Sequence, residues 1–364
     1  MAEQRKLRVA LVGLGRMGQI HAKNYAFLVP RAEVVAVCDV RDASLEWAKE
    51  NLNPAVQTFK DAEDMFKNSG AEAVLIATET SKHAPLTELA ISNGLHVLLE
   101  KPIAVDIESS RRVVEHSQKY PHIKTMVAFN RRFDESNLAL KAAIDAGDLG
   151  KIHLFRAWTA DVYDPSGFFI NFSKSSGGLF TDVGVHDVDL ARWFTNMPSS
   201  CPNPKQEVSK VFAVGQQVRH PELRELQDAD NGDCIIEFTN GTTAVLHFSR
   251  TGRNGSETFI EVCGTEQRVA VNPGAEKNKL QIRDKHGVRT ECHQTVMDRF
   301  KDAFIRELQV FTDCVLDDTP LPVSLEDALQ ASKVCYALTL SFRSGQPVYF
   351  DENGNIIPPS AANK

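Results

Sequence analysis

At 364 residues the chain exceeds what one ordinary core holds and suits two domains. A hydrophobic share of 42% beside 24% charged residues excludes disordered, collagen-like and coiled-coil classes and implies a packed globular protein. A net charge of -7 with no basic block excludes a nucleic-acid partner, whose phosphates demand a positive surface.

The first apolar run, LRVALVG from Leu7, has the length of a strand, and the residues before it carry no cleavage-site pattern. No apolar run in the chain is long enough to cross a bilayer, so a cytoplasmic protein without membrane contact is expected. From Leu7 to Ala128 short apolar runs alternate with helical patterns. LRVALVG leads to a helix from Met17, EVVAVCD to a helix around Leu45, and EAVLIAT to a helix from Pro85. HVLLEKP then leads to a helix from Ser109, and IKTMVAF closes the series. Continuous apolar strands mark a parallel sheet buried on both faces, and right-handed crossovers make it doubly wound. The predicted class is α/β, with a Rossmann domain over residues 1–128.

After Ala128 the pattern changes. A helix near Leu138 to Ala146 precedes strand-like runs: HLFRAWTAD, KVFAVGQQV, CIIEFTNG, TAVLHFS, TFIEVCG, QRVAV and KLQIR. Turn residues such as Thr239-Asn240-Gly241 separate them. Residues 129–364 are therefore expected to form an α+β domain with a mostly antiparallel open sheet, further helices spanning Val296 to Leu316 and Leu325 to Phe342.

Gly13-Leu14-Gly15-Arg16-Met17-Gly18 lies between a strand and a helix, where glycines permit a tight turn, close approach to a pyrophosphate and close helix-strand packing. The next strand ends at Cys38-Asp39, followed by Val40, about 20 residues past the last glycine. An acid there accepts from both adenosine ribose hydroxyls and repels a 2′-phosphate, which favours NAD over NADP. Arg41 blunts that preference, although a plain solvated arginine is the favoured reading.

Glu100-Lys101-Pro102 ends HVLLEKP at the carboxyl edge of the sheet, where open α/β folds bind ligands. Glu100 offers Lys101 a partner, and the proline restricts its backbone, so the ammonium can be held in one orientation. Farther on, Ser176-Gly177-Gly178 precedes Asp182 and His186, whose i,i+4 spacing shares one face if VGVHDVDLARWF is helical. Oxidising a carbinol requires a proton acceptor near neutrality, which a histidine supplies. Such a pair is more often structural, and capping or solvation equally explains His83, Asp187 and Asp189. The cysteines Cys38, Cys201, Cys234, Cys263, Cys292, Cys314 and Cys335 are dispersed and contain no CxxC, which predicts mostly buried free thiols and neither disulfides nor zinc. The histidines form no ligand-like cluster, so no metal is expected.

Taken together, these motifs resemble the glucose-fructose oxidoreductase, inositol dehydrogenase and rhizopine-catabolism (Gfo/Idh/MocA) family over the whole length. GLGRMG, Asp39, Thr78 with His83, GLHVLLEKPIA, FNRRFD at Phe129 to Asp134, SGGLFTDVGVHDVDLARW and DADNGDCIIEFTNG fall in the family's order. The resemblance implies a catalytic set of Lys101, Asp182 and His186. Lys101 would donate to the reacting oxygen, His186 would accept the proton, and Asp182 would orient both. It also implies that Gly13, Gly15, Arg16, Met17, Gly18, Asp39, Val40, Thr78, His83, Glu100, Lys101, Asn130 and Arg131 serve the cofactor. Lys101, Asp161, Asp182 and His186 would meet the substrate.

The chain departs from the family in two places. Glu79 stands where relatives often have proline, and TGRNGSETF follows Ser249-Arg250 where inositol dehydrogenases tend to carry tyrosines. The second departure argues against inositol itself as the substrate, while Arg253, Asn254 and Glu257 supply polar groups there that suit a polyol or sugar. The implied activity is NAD-dependent hydride transfer at a polyol hydroxyl in a homodimer or homotetramer. Two other readings share the fold: a catalytically silent NAD(P)-binding sensor or transcriptional regulator, and a reductase or dihydrodiol dehydrogenase acting on a non-sugar substrate.

Overall fold

A computed structural model describes residues 5–195 and 207–359, so Cys201 lies outside the described residues. The polypeptide divides into two compact units, Met1–Phe133 with Asp302–Leu329, and Asp134–Lys301 with Gln330–Lys364. The first unit thus also takes in a late segment that chain order alone groups with the second half.

In the first unit, strands β1 (Leu7–Val12), β2 (Ala32–Cys38), β3 (Gln57–Phe59), β4 (Ala73–Ile76), β5 (His96–Leu99) and β6 (Thr125–Val127) form one sheet. Its order is β3-β2-β1-β4-β5-β6, with every pairing parallel. Helices α1 (Arg16–Leu28), α2 (Asp42–Asn51), α3 (Ala62–Asn68), α4 (His83–Ser92) and α5 (Ile107–Gln118) make the crossovers. Order reverses beside β1, which sets a binding crevice at the carboxyl ends of β1 and β4. β1 and β4 are buried almost throughout, as parallel strands covered on both faces must be. β3 and α3 were not legible as separate elements, because QTF is too short for a pattern. Asp61 nevertheless caps α3 through the Asp64 amide at 2.8 Å, and Asp106 caps α5 through the Ser109 amide at 2.7 Å.

In the second unit α6 (Glu135–Asp145) leads into β7 (Ile152–Val162), then α7 (Phe168–Ser176), α8 (Leu179–Asp182) and α9 (Gly184–Phe194). Strands β8 (Val208–Gln216), β9 (Asn231–Phe238), β10 (Thr243–Gly252), β11 (Glu257–Gly264) and β12 (Arg268–Val271) follow. A separate hairpin, β13 (Glu276–Asp284) with β14 (Gly287–Cys292), precedes α10 (Val296–Arg299), α11 (Lys301–Leu316) and α12 (Leu325–Ser344). The chain ends in β15 (Val348–Phe350) and β16 (Ile356–Ile357). The large sheet runs β12-β11-β7-β10-β9-β8-β15-β16 and is antiparallel except between β7 and β10. Side chains alternate: Phe155, Ala157, Leu246, Phe248, Cys234 and Ile236 are buried, while Trp158, Val245 and Ile235 on the other face are exposed.

One predicted helix is broken, and a second, VGVHDVDLARWF, forms from Gly184 with Asp182 left outside it. The run from Val296 to Leu316 is interrupted at Phe300, separating α10 from α11. α11 belongs to the first unit, where Arg31 bridges Asp313 at 2.7 Å and Asp317 at 2.6 Å and Gln309 donates to the Leu28 carbonyl. Val183 separates α8 from α9, leaving Asp182 to end α8 and His186 in the first turn of α9. Of the described cysteines, Cys38, Cys234, Cys314 and Cys335 are buried, and none is bridged. No helix among the described residues is long and apolar enough to cross a membrane, and they contain no metal-ligand cluster.

Candidate active site

The dinucleotide turn is shaped glycine by glycine. Gly13 has φ +87, and a Cβ there would lie 2.6 Å from the Ala77 carbonyl oxygen. A Cβ on Gly18 would lie 1.8 Å from the Gly13 carbonyl oxygen, so only glycine lets α1 pack this closely. Gly15 differs in kind: a Cβ there meets nothing within 4 Å. The protein itself does not need glycine at that position, and the open space leaves room for a ligand to approach the backbone. Gly15 caps α1, with Arg16 and Met17 opening the helix, so its first amides face that space.

Asp39 stands at the end of β2, 7% exposed, with Oδ2 accepting from the Leu14 amide at 2.8 Å and Oδ1 from the Arg41 amide at 2.9 Å. Burial alone would raise its pKa, yet the Arg41 guanidinium and these amides hold the carboxyl below its ordinary value. Arg41 is therefore not a plain solvated residue: its Nε pairs with Oδ1 at 3.1 Å while the side chain stays 60% exposed. Val40 is exposed beside them. An ionised acid at this strand end suits the ribose hydroxyls of NAD, and this turn with its glycines fits the dinucleotide.

At the ends of β4 and β5 the chain is tied to itself. Thr78 donates to the Glu79 carbonyl, and Glu79 precedes a short 3₁₀ turn, Thr80–Lys82, in place of the family's proline. His83 is buried, with Nδ1 2.6 Å from the Pro102 carbonyl and Nε2 3.1 Å from the Thr78 carbonyl. It is neither a surface cap nor a solvated residue but a pin between the two loops, and burial holds its pKa below the ordinary value. Glu100 and Lys101 follow β5, which ends at Leu99 rather than running through the lysine. Glu100 accepts from the Lys101 amide at 3.2 Å, and its Oε1 lies 2.7 Å from His21 Nε2 on α1. Although burial opposes it, His21 and then Lys101 hold the Glu100 carboxyl below its ordinary value. Asn130 and Arg131 lie buried in the 3₁₀ turn after β6.

In the second unit, Asp182 accepts from Arg250 Nη2 at 2.9 Å. The Arg250 guanidinium also sits 5.0 Å from the Phe169 ring centroid. Gly177 and Gly178, with φ +84 and +82, swing the chain so that Asp228 can cap α8, accepting from the Leu179 amide at 2.9 Å. A Cβ on Gly178 would strike that carboxylate at 2.7 Å. His186 is half-buried on α9, whereas Asp187 and Asp189 are buried rather than solvated. Asp187 accepts from Thr159 at 2.6 Å. Asp161, the penultimate residue of β7, is half-buried, and the Arg253 guanidinium lies 4.5 Å from the centroid of Tyr163, two residues on. Arg250, Asp228, His21 and Glu307 (on α11) are the residues that motif spacing does not reveal. Of these, only the Ser249-Arg250 and DADNG phrases carried a signal.

Residues 7–129 match an oxidoreductase family with an NAD-binding Rossmann fold, and residues 137–270 match the GFO/IDH/MocA C-terminal domain. The chain is 32% identical to scyllo-inositol 2-dehydrogenase (NAD(+)) of Bacillus subtilis, over 96% of this chain and 97% of that protein. It is 29% identical to myo-inositol 2-dehydrogenase of Thermotoga maritima, over 95% of this chain and 99% of that one. Among solved structures, scyllo-inositol dehydrogenase of Lactobacillus casei with NAD(H) and scyllo-inositol superposes with a TM-score of 0.88 at 32% identity, covering 95% and 99% of the two chains.

Proposed function

The chain belongs to the GFO/IDH/MocA oxidoreductase family, NAD-binding enzymes that act on CH-OH groups, and from that membership we propose that it oxidises an inositol or a closely related polyol in the cytoplasm. Residues 1–128 hold the dinucleotide and residues 129–364 the polyol. The observation that carries the cofactor half is Gly15, unobstructed beside an ionised Asp39, a pairing the fold itself does not require. The polyol half is supported by the inositol dehydrogenases that resemble the chain over almost all of its length.

When bound, NAD supplies the hydride acceptor. Lys101 donates from its ammonium to the reacting hydroxyl oxygen and stabilises the negative charge that develops there. His186 accepts the hydroxyl proton as the carbinol hydrogen leaves with its electron pair. Asp182, anchored by Arg250, orients these groups, and Asp161 meets a second hydroxyl. Thr78, His83, Asn130 and Arg131 shape the cofactor's nicotinamide side, His83 by holding the two loop ends. Copies of the chain pair through the outer face of the large sheet, where Trp158, Val214, Ile235 and Val245 are exposed.

A screen of inositols, aldoses and sugar alcohols with NAD and NADP, followed by the absorbance of the reduced cofactor, tests the proposal. NAD-dependent oxidation of an inositol is expected. Tight NAD binding without turnover of any polyol would favour a sensor instead.

A further inference from the structure

The seam between α1 and α11, both in the first unit, is lined by buried apolar side chains and by the polar groups of His21, Tyr25 and Glu307. His21 and Tyr25 lie four residues apart on α1, and Phe304 and Glu307 lie three apart on α11, so each pair shares a helix face. Phe304 meets the His21 ring edge-on at 5.9 Å between centroids. Around Glu307, the side chains of Phe304, Leu308 and Phe311 are buried. Glu307 itself is 0% exposed, and neither of its carboxyl oxygens has a hydrogen-bond partner among the described residues. His21 is also 0% exposed, with Nε2 engaged by Glu100 and Nδ1 lacking a partner.

These two deficits are complementary. A neutral imidazole has one donor and one acceptor nitrogen. A neutral ring that directs its Nε2 proton at the Glu100 carboxylate would leave Nδ1 as the acceptor. Burial pushes the Glu307 carboxyl well above its ordinary value, and the charge on Glu100 adds to the effect. A carboxylic acid so held carries one O–H donor. The other ionisable groups facing the seam are Tyr25 against Glu307, and Lys101 and His83 against Glu100. An unpaired polar group buried among phenylalanines and leucines costs stability, and a leucine there would not. A residue kept at such a cost is characteristic of active-site neighbourhoods.

We propose that Glu307 is a positioning residue for the Glu100–Lys101 pair: its carboxylic O–H donates to His21 Nδ1 through one bridging water, and fixes the tautomer with which His21 holds Glu100. Glu100 in turn receives the Lys101 amide, so the relay runs from a helix late in the chain to the residue beside the ammonium. The kinetic side of this inference rests on the dehydrogenase reading, and the hydrogen-bonding side does not.

The full chain labelled with 15N-histidine tests it, with the His21 signals assigned by H21Q. In the wild type, His21 is expected as the Nε2–H tautomer with Nδ1 shifted by an accepted hydrogen bond. E307Q keeps that shift, because its amide also donates, and E307L loses it. On the polyol that the wild type oxidises, E307L lowers kcat roughly tenfold, the size of one lost charge-linked hydrogen bond, while raising the thermal midpoint. E307Q retains kcat within about threefold. A proton on Nδ1 in the wild-type spectrum, an unmoved Nδ1 signal in E307L, or unreduced kcat in E307L overturns the assignment. If the wild type oxidises no polyol, the dehydrogenase reading falls instead, and the Nδ1 signal alone decides the role of Glu307.

Discussion

Arg250 Nη2 donates to Asp182 Oδ2 at 2.9 Å, with the two side chains 8% and 16% exposed. Pairing with a guanidinium offsets the cost of sheltering this acid from water, and the guanidinium is itself braced over Phe169. One oxygen of the acid at the end of α8 is thereby fixed by β10, the strand carrying Ser249-Arg250.

Removing that brace takes the guanidinium away from a partly buried carboxylate. R250A is expected to cost about 2 kcal/mol of stability and to lower kcat by roughly tenfold or more, with R250K restoring little because an ammonium does not reproduce the planar fork. Thermal unfolding and steady-state kinetics of the two variants check this.

The glycine turn separates folding from binding. Gly15→Ala should leave the thermal midpoint unchanged, since the new methyl meets no protein atom and the backbone φ of -71 suits alanine. It should nevertheless weaken NAD binding by about tenfold, because the methyl occupies the approach to the pyrophosphate. Gly18→Ala should instead destabilise the fold outright, its methyl falling 1.8 Å from the Gly13 carbonyl oxygen. Calorimetric titration with NAD and thermal scans distinguish the two.

His83 makes stability depend on pH. Its folded pKa lies below the unfolded value near 6.5, so the native state favours the neutral ring. The contribution is complete above that unfolded value and is lost as pH falls from 6.5 toward the folded pKa. His96, also depressed by burial, acts in the same direction. The thermal midpoint should fall on acidification through this window, and H83Q should fall less steeply even though it starts lower.

The outer sheet face predicts the assembly. Trp158 stacks on His247 at 3.8 Å between centroids and remains 44% exposed, as does Ile235 two strands away. W158D with I235R should shift the protein to monomer in light scattering at unchanged secondary structure. A wild-type protein that is already monomeric contradicts the pairing.

Much of this was legible in the sequence because local chemistry dictates it. The continuous apolar strands required a parallel sheet, and the glycine spacing with Asp39 located the dinucleotide turn. Alternation along β7, β9 and β10 marked the antiparallel sheet. The partnerships were hidden, because they join residues distant in the chain. Arg250 reaches Asp182 from 68 positions away, and Asp228 caps α8 from 49 positions away. His83 was read as a possible cap because nothing local shows that Thr78 and Pro102 present carbonyls to both of its nitrogens. The breaks at Val183 and Phe300 escaped because both residues fit a helical apolar stripe.

Kinetics of K101A and H186A on the oxidised polyol test the central claim most directly. Each variant should lose at least about 100-fold in kcat, and H186A should still bind NAD like the wild type. Full activity in both would contradict an ammonium-and-imidazole mechanism.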